Sequence, residues 1–289
     1  MSPDAWLCLT VEPAADLLEP LAARLGARLG GVEIRGGCIL AYLAEGPELA
    51  AQEARLLAEI QQLAATAPDL PPPLVRRTRV AAEDWGRNWQ AFFKASRVSP
   101  RLVVKPSWEA FPAAPGDVIL ELDPGMAFGT GLHATTRLLL EALDEALAPG
   151  QPLPARALDL GTGTGILAMA AAGLGVPAVV ALDNDPLAVE IAAANVAANS
   201  LASRVRVSGE DLADSTGPFD LILANITQDV LLELSVPLAA RLAPGGRLLL
   251  SGLLAGGQEE RVSACYQGLG LTETGRRFRE EWAALTLRR

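Results

Sequence analysis

The stretch that most constrains this chain is residues 157–183, ALDLGTGTGILAMAAAGLGVPAVVALD. It reads as strand, glycine turn, helix and strand. A short apolar run, 157–160, meets glycines at alternate positions, Gly161, Gly163 and Gly165. Residues 166–172 are rich in Ala, Leu and Met, which favour helix. A second apolar run, 178–182, ends in Asp183. Such a βαβ unit presents a glycine turn, and an acid at the tip of its second strand, to a nucleotide-like ligand. Glycine permits the tight turn and a close backbone approach. Asp183 can accept hydrogen bonds from both hydroxyls of a ribose. A plain buried βαβ with a tight turn is the bland alternative.

The dinucleotide fingerprint is G-x-G-x-x-G, with a pyrophosphate at the helix N-terminus. Here the spacing is G-x-G-x-G, one residue tighter, with Thr162 and Thr164 between the glycines. That spacing resembles the first motif of S-adenosylmethionine-dependent methyltransferases, whose ligand carries no phosphate.

The other 262 residues bound the reading. A chain of 289 residues holds one large domain or two smaller ones, and half of it is hydrophobic. No uninterrupted apolar run reaches the ~18 residues of a membrane span, so no membrane is expected. The first residues, MSPDAWLCLTVEP, lack a basic start followed by an apolar region, so no secretory signal is expected. Cys8, Cys38 and Cys265 are too scattered for a disulfide or zinc framework, and His133 is the only histidine. A reduced cytoplasmic setting and no metal site follow as expectations. The net charge of −10 argues against broad binding to nucleic acid. It suits a basic protein partner, although solubility explains it equally well.

In chain order, a strand at 6–12 precedes an amphipathic helix at 14–29. Strands at 32–35 and 38–43 flank Gly36-Gly37, a hairpin signal. A helix at 47–65 and a strand at 74–80 complete the order β-α-β-β-α-β, which predicts a small ferredoxin-like domain over 1–81. Residues 83–95, EDWGRNWQAFFKA, space aromatics along one helical face and predict a linker helix within 82–100. Residues 101–105 and 117–122 read as strands. A glycine-rich loop, DPGMAFGTGLHATT, then runs into a helix at 134–148. Phe128, Thr130 and His133 give that loop the look of a gate over a ligand. His133 is either a general base or a residue that caps and orients the loop. Repeating βα units follow to the C-terminus, among them a helix at 230–242 and a strand at 247–251 after Pro244-Gly245-Gly246, ending in two strands, 271–278 and 283–287. They predict a mostly parallel sheet with an antiparallel edge across 101–289.

Ligands of open α/β sheets sit outside the carboxyl ends of the strands. The glycine turn, Asp183 and Asn225 come from three such ends. Asp211 follows the third strand, where an acid could meet an adenine amine. Methyl transfer from a sulfonium is an in-line displacement that depends on alignment and exclusion of water. A lysine acceptor must be neutral, which costs about 4–5 kcal/mol at pH 7 from a reference pKa near 10.4. An α-amine costs about 1–1.4 kcal/mol. An Asn side-chain carbonyl at a strand end can accept N–H bonds and aim the nitrogen lone pair, and Asn225 is placed for that role.

Six segments together resemble one family. They are EDWGRNWQAFFKASRVSPRLVVKPSWE, LDPGMAFGTGLHATT, LDLGTGTGILAMAAAGLG, ALDNDPLAV, ANITQDVL and APGGRLLLSGLL. They are similar to the bacterial ribosomal protein L-eleven (L11) methyltransferases over nearly the whole length. The resemblance implies a ferredoxin-like domain that recognises the substrate protein, then a seven-stranded class I methyltransferase domain of Rossmann-like α/β fold. It implies S-adenosylmethionine as cofactor and methylation of ε- and α-amines. The cofactor-binding candidates are Thr130, Thr136, Gly161, Gly163, Asp183, Asn184, Asp211 and Asn225, and the catalytic candidate is Asn225. The expected partner is a basic ribosomal protein, with no direct nucleic acid and a monomeric enzyme. Leu132 and Ala134 replace a Thr and a Pro usual in the family's gate, and Thr227-Gln228 replaces Leu-Ala after the Asn-Ile pair. These departures lie beside the acceptor rather than the cofactor and put the target protein in question; two alternative readings stand beside this one. One is lysine methylation of another protein, such as electron-transfer flavoprotein. The other is a nicotinamide-dependent oxidoreductase.

Overall fold

The computed structural model describes residues 5–29, 32–44, 46, 49–68, 70–81, 94–123 and 133–289. Its contacts divide the chain into two units, 1–93 and 94–289. In the first, strands β1 (Ala5–Glu12), β2 (Glu33–Arg35), β3 (Cys38–Ala44) and β4 (Leu74–Ala81) form a sheet in the order β2-β3-β1-β4. Every neighbouring pair is antiparallel. Side chains alternate across a strand, so Leu9 and Val11 of β1 and Ile39, Ala41 and Leu43 of β3 share one face. They bury against Leu17, Leu21 and Leu25 of α1 (Ala15–Leu29) and Leu56 and Ile60 of α2 (Leu49–Ala64). This is the ferredoxin-like arrangement. The linker helix expected within 82–100 falls mostly on 82–93, outside the described residues. Among residues 94–100, Ser96–Arg97 forms a strand, β5.

The second unit opens with a small sheet, β5-β6-β7, in which β6 is Leu102–Lys105 and β7 is Val118–Glu121. A seven-stranded sheet follows, in the order β10-β9-β8-β11-β12-β14-β13. Its strands are β8 (Arg156–Leu160), β9 (Ala178–Leu182), β10 (Val205–Ser208), β11 (Phe219–Asn225), β12 (Leu242–Leu254), β13 (Thr272–Arg279) and β14 (Trp282–Arg288). The first five run parallel, and β14 and β13 close the edge antiparallel. Helices cover both faces, as a sheet buried on both sides requires. On one face lie α3 (Ala134–Ala146) and α4 (Ile166–Gly173), packed on Ala157, Leu221, Leu223 and Leu249. On the other, Leu158, Ile222, Leu248 and Leu250 meet Leu231, Leu238, Val262 and Tyr266. These belong to α6 (Gln228–Glu233), α7 (Ser235–Arg241) and α8 (Gln258–Gly268). α5 (Pro186–Ala198) follows β9, started by Asp185, whose side chain accepts from Leu187 N at 2.9 Å.

Two expected elements differ. The single helix expected at 230–242 is two, α6 and α7, meeting at Leu234. Pro237 lacks the N–H that would continue the helical ladder, and Ser235 Oγ donates instead to Leu232 O at 2.7 Å. The strand expected at 247–251 runs from Leu242 to Leu254. The Pro244-Gly245-Gly246 segment is absorbed by a register shift, from Phe219↔Leu242 to Leu221↔Arg247. Among the described residues, no helix is long and apolar enough to cross a membrane.

Candidate active site

At the carboxyl end of β8 the chain turns through Gly161, Gly163 and Gly165, with φ of 70°, 57° and 83°. All three lie in the left-handed region that side chains disfavour. Leu182 O, at the end of β9, accepts from both Gly161 N (2.9 Å) and Thr162 N (3.0 Å). Asp183 adds two further bonds. Its Oδ2 accepts from Gly163 N at 2.8 Å and its Oδ1 from Asp185 N at 3.0 Å. The acid at the tip of β9 therefore fixes the shape of the glycine turn. A carboxylate has about four acceptor positions, so Asp183 keeps capacity for a ligand's hydroxyls.

Beneath the turn lies Asp159, completely buried in β8. Its Oδ2 accepts from Thr162 Oγ at 2.6 Å and from Ala168 N at 3.0 Å. Among the described residues, its Oδ1 has no hydrogen-bond partner. Burial pushes this carboxyl up to about 6, the two hydrogen bonds oppose that, and the Asp183 charge adds to it.

Across the edge stands Asn225, the last residue of β11. Its Nδ2 donates to Thr136 Oγ1 at 3.1 Å. This uses the amide nitrogen and leaves the amide oxygen as an acceptor. Thr136 is buried in the first turn of α3. His133 caps that helix. Its Nδ1 accepts from Thr135 N at 3.4 Å and lies 2.8 Å from Thr135 Oγ1. The imidazole also meets the ring of Trp282 edge-on, with centroids 5.2 Å apart. Trp282 begins β14 and pairs with Leu254, at the same end of the sheet. His133 thus has a local task in capping α3.

Of the sequence candidates, Gly161, Gly163, Asp183, Asn225 and Thr136 come together at this edge. Ile226, next to Asn225, packs so closely on Gly161 that an added Cβ there would lie 2.5 Å from Ile226 Cγ2. Asn184 is exposed at the edge of the group. Asp211 is exposed too, and its side chain caps a 3-10 turn, Leu212–Asp214, by accepting from Ala213 N at 2.9 Å. Thr130, Phe128 and Leu132 lie outside the described residues.

This donor set fits S-adenosylmethionine and suits a pyrophosphate poorly. The turn carries two carboxylates, Asp159 and Asp183, and one of its N–H groups is already taken by Asp183. Negative groups there favour a cationic ligand over a phosphate.

The family model described as Ribosomal protein L11 methyltransferase (PrmA) matches residues 35–289. The chain belongs to the ribosomal protein L11 methyltransferase family. A protein of that name from Pelobacter propionicus is 42% identical, over 98% of this chain and 97% of its own. One from Chloroflexus aurantiacus is 38% identical, over 100% of this chain and 99% of its own. A crystal structure of a ribosomal protein L11 methylase from Lactobacillus delbrueckii subsp. bulgaricus is 30% identical. It superposes with a TM-score of 0.59, over 68% of this chain and 97% of that one. The chain is accordingly a class I methyltransferase, and S-adenosylmethionine is the family's cofactor.

Three site features escape sequence reasoning. Trp282 lies 149 residues from His133, and its only signal is an aromatic opening the last strand. Asp159 reads as one polar residue inside an apolar strand, and its Thr162 partner three residues on is the visible clue. The packing of Ile226 on Gly161 leaves no sequence signal beyond the glycine.

Proposed function

We infer that this enzyme transfers methyl groups to amino groups of ribosomal protein L11, with Asn225 orienting the acceptor. The observation that carries the reading is the Asn225–Thr136 bond. It leaves the Asn225 amide oxygen to accept from an amine N–H at the strand edge that bears the glycine turn. Bound S-adenosylmethionine supplies the methyl group as an electrophilic carbon on a sulfonium. The glycine turn cradles it, with Asp183 holding the ribose, and Asn184 and Asp211 bordering the adenine side. Thr130 and Thr136 complete the cofactor set.

The amine must be neutral to attack. Asn225 Oδ1 accepts one of its N–H bonds, which aims the lone pair, and the proton released after transfer leaves to solvent. A neutral amide suits this role, because a carboxylate there would favour the ammonium form. The chain's net charge of −10 complements a basic ribosomal protein. The ferredoxin-like unit is the recognition module in this reading, and the enzyme works in the cytoplasm as a monomer.

The test is incubation of the enzyme with labelled S-adenosylmethionine and purified L11, or electron-transfer flavoprotein, followed by peptide mapping. Label on L11 lysine and N-terminal amines is expected. Label confined to the flavoprotein would overturn the target.

A further inference from the structure

The ends of β8, β11 and β12 lie side by side in the sheet, with β11 in the middle. Ala224 pairs with Leu160 on one side, and Asn225 pairs with Ser251 on the other. One step further, the middle strand carries Ile226 between two glycines, Gly161 and Gly252. A Cβ on Gly161 would meet the Ile226 Cγ2 methyl, 2.5 Å away. A Cβ on Gly252 would meet backbone, 2.4 Å from Ile226 O and 2.9 Å from Ile226 C. A branch methyl moves only by rotation about χ1, at some cost; a peptide group has no such rotation open to it.

Gly252 also stands in a β-bulge. The β12–β14 register steps from Leu250↔Leu285 to Leu253↔Ala283, which leaves one extra residue on β12. Its φ is 86°. Ser251 Oγ donates to Ala283 O at 2.9 Å and pins the bulge to β14. The bulge therefore holds the Gly252 backbone against the peptide that follows Asn225.

We propose that Gly252 is a positioning residue for methyl transfer. Its missing side chain seats the Ile226 backbone and so sets where Asn225 stands relative to the glycine turn. The proposal rests on Asn225 as the residue that orients the amine. With a Cβ at 252, the 2.4 Å contact must open by about 0.6 Å to reach 3.0 Å, the lower limit of real Cβ contacts. Misplacement by about 1 Å can cost about 10²-fold in rate.

The experiment measures kcat and KM on L11, Kd for S-adenosylhomocysteine, and Tm. Gly252→Ala is compared with Gly252→Asn and Gly270→Ala. Asn tolerates positive φ better than Ala but keeps the clashing Cβ. Gly270 has φ of +89° and nothing within 4 Å of an added Cβ, so Gly270→Ala carries similar backbone strain without the clash. Both Gly252 variants are expected to lose kcat by about tenfold or more, with KM and Kd within about threefold. Gly270→Ala is expected to lose Tm but keep kcat. Ile226→Ala creates no clash and tests the Gly161 side of the same seat. By freeing the segment from Gly161 it is expected to lower kcat about fivefold with Kd little changed.

Normal kcat in a folded Gly252→Ala or Gly252→Asn overturns the proposal, and so does failure of both to fold while Gly270→Ala folds, which would make Gly252 a residue of stability and not of positioning. So does a fall in cofactor affinity that matches the fall in kcat. An inactive wild type would instead overturn the choice of substrate, which separates the two failures.

Discussion

Asn225 Nδ2 donates to Thr136 Oγ1 at 3.1 Å, a bond between residues 89 apart in the chain. It joins the end of β11 to the first turn of α3 and determines which end of the Asn225 amide faces outward. Thr136→Val keeps the shape and removes the acceptor. An ordinary hydrogen bond is worth about 0.5–1.5 kcal/mol, so kcat should fall about three- to tenfold with KM nearly unchanged. Asn225→Ala removes the amide itself and should cost tenfold or more, on the order of the larger catalytic contributions of positioned groups. Steady-state kinetics on both variants checks the pair. A Thr136→Val enzyme slower than Asn225→Ala would contradict this ordering.

Asp183 shapes the glycine turn, and the proposed function also has it hold the ligand's ribose. Asp183→Ala frees Gly163 N and Asp185 N together. Bonds to a charged acceptor are worth about 1.5–3 kcal/mol each, so affinity for S-adenosylhomocysteine should drop more than about tenfold. Asp183→Asn retains an acceptor for one of the two N–H groups and should lose less. Calorimetric titration of both variants distinguishes them, and equal affinities would show that the carboxylate does not hold the turn.

The fold was legible because its signals are local. Period-two strands and period-3.6 helices sit where their patterns put them, and Gly161, Gly163 and Gly165 adopt the conformations that made them visible as glycines. The candidate site was legible wherever a strand end carries its own polar residue, as at Asp183 and Asn225. What stayed hidden depends on contacts between distant segments. Nothing near Gly252 in sequence signals that its Cβ position belongs to Ile226. The division into α6 and α7 turns on Pro237, although the apolar spacing of its neighbours continues through it. Asp211 illustrates the converse, since a position read for a ligand also has a local task in capping a 3-10 turn.

The helix that carries Thr136 is held by a buried network at its other end. Asp144 Oδ2 accepts from Ser99 Oγ (2.6 Å) and Arg101 N (3.0 Å), while Oδ1 accepts from Arg101 Nε (2.6 Å). Arg101 Nη2 also donates to Asp144 O in the last turn of α3 and to Leu147 O, its C-cap. Asp144→Ala strands the guanidinium in a mostly buried position. Breaking such a pair costs about 3 kcal/mol. Urea unfolding should show that loss, and Asp144→Asn, which keeps one acceptor, should lose about half as much. A change below about 0.5 kcal/mol in Asp144→Ala would mean that Arg101 finds water instead.

Asp159 yields the pH prediction. Its carboxyl is held at about 6 in the fold, against a reference value of 3.8. The native state therefore binds a proton that the unfolded chain has already released between those values. Below about pH 4 the group brings no penalty. As pH rises from 4 towards 6, ionisation of this group in the unfolded chain increasingly disfavours the fold, and above 6 the penalty is complete. At 1.36 kcal/mol per unit it amounts to about 3 kcal/mol. Asp159→Asn keeps an oxygen for Thr162 Oγ and Ala168 N but cannot ionise. Its stability relative to the wild type should rise by about 1–3 kcal/mol between pH 4.5 and pH 7.5. Paired urea titrations at the two pH values measure that difference directly, and a difference that stays level with pH would mean that Asp159 is no more costly to ionise in the fold than out of it.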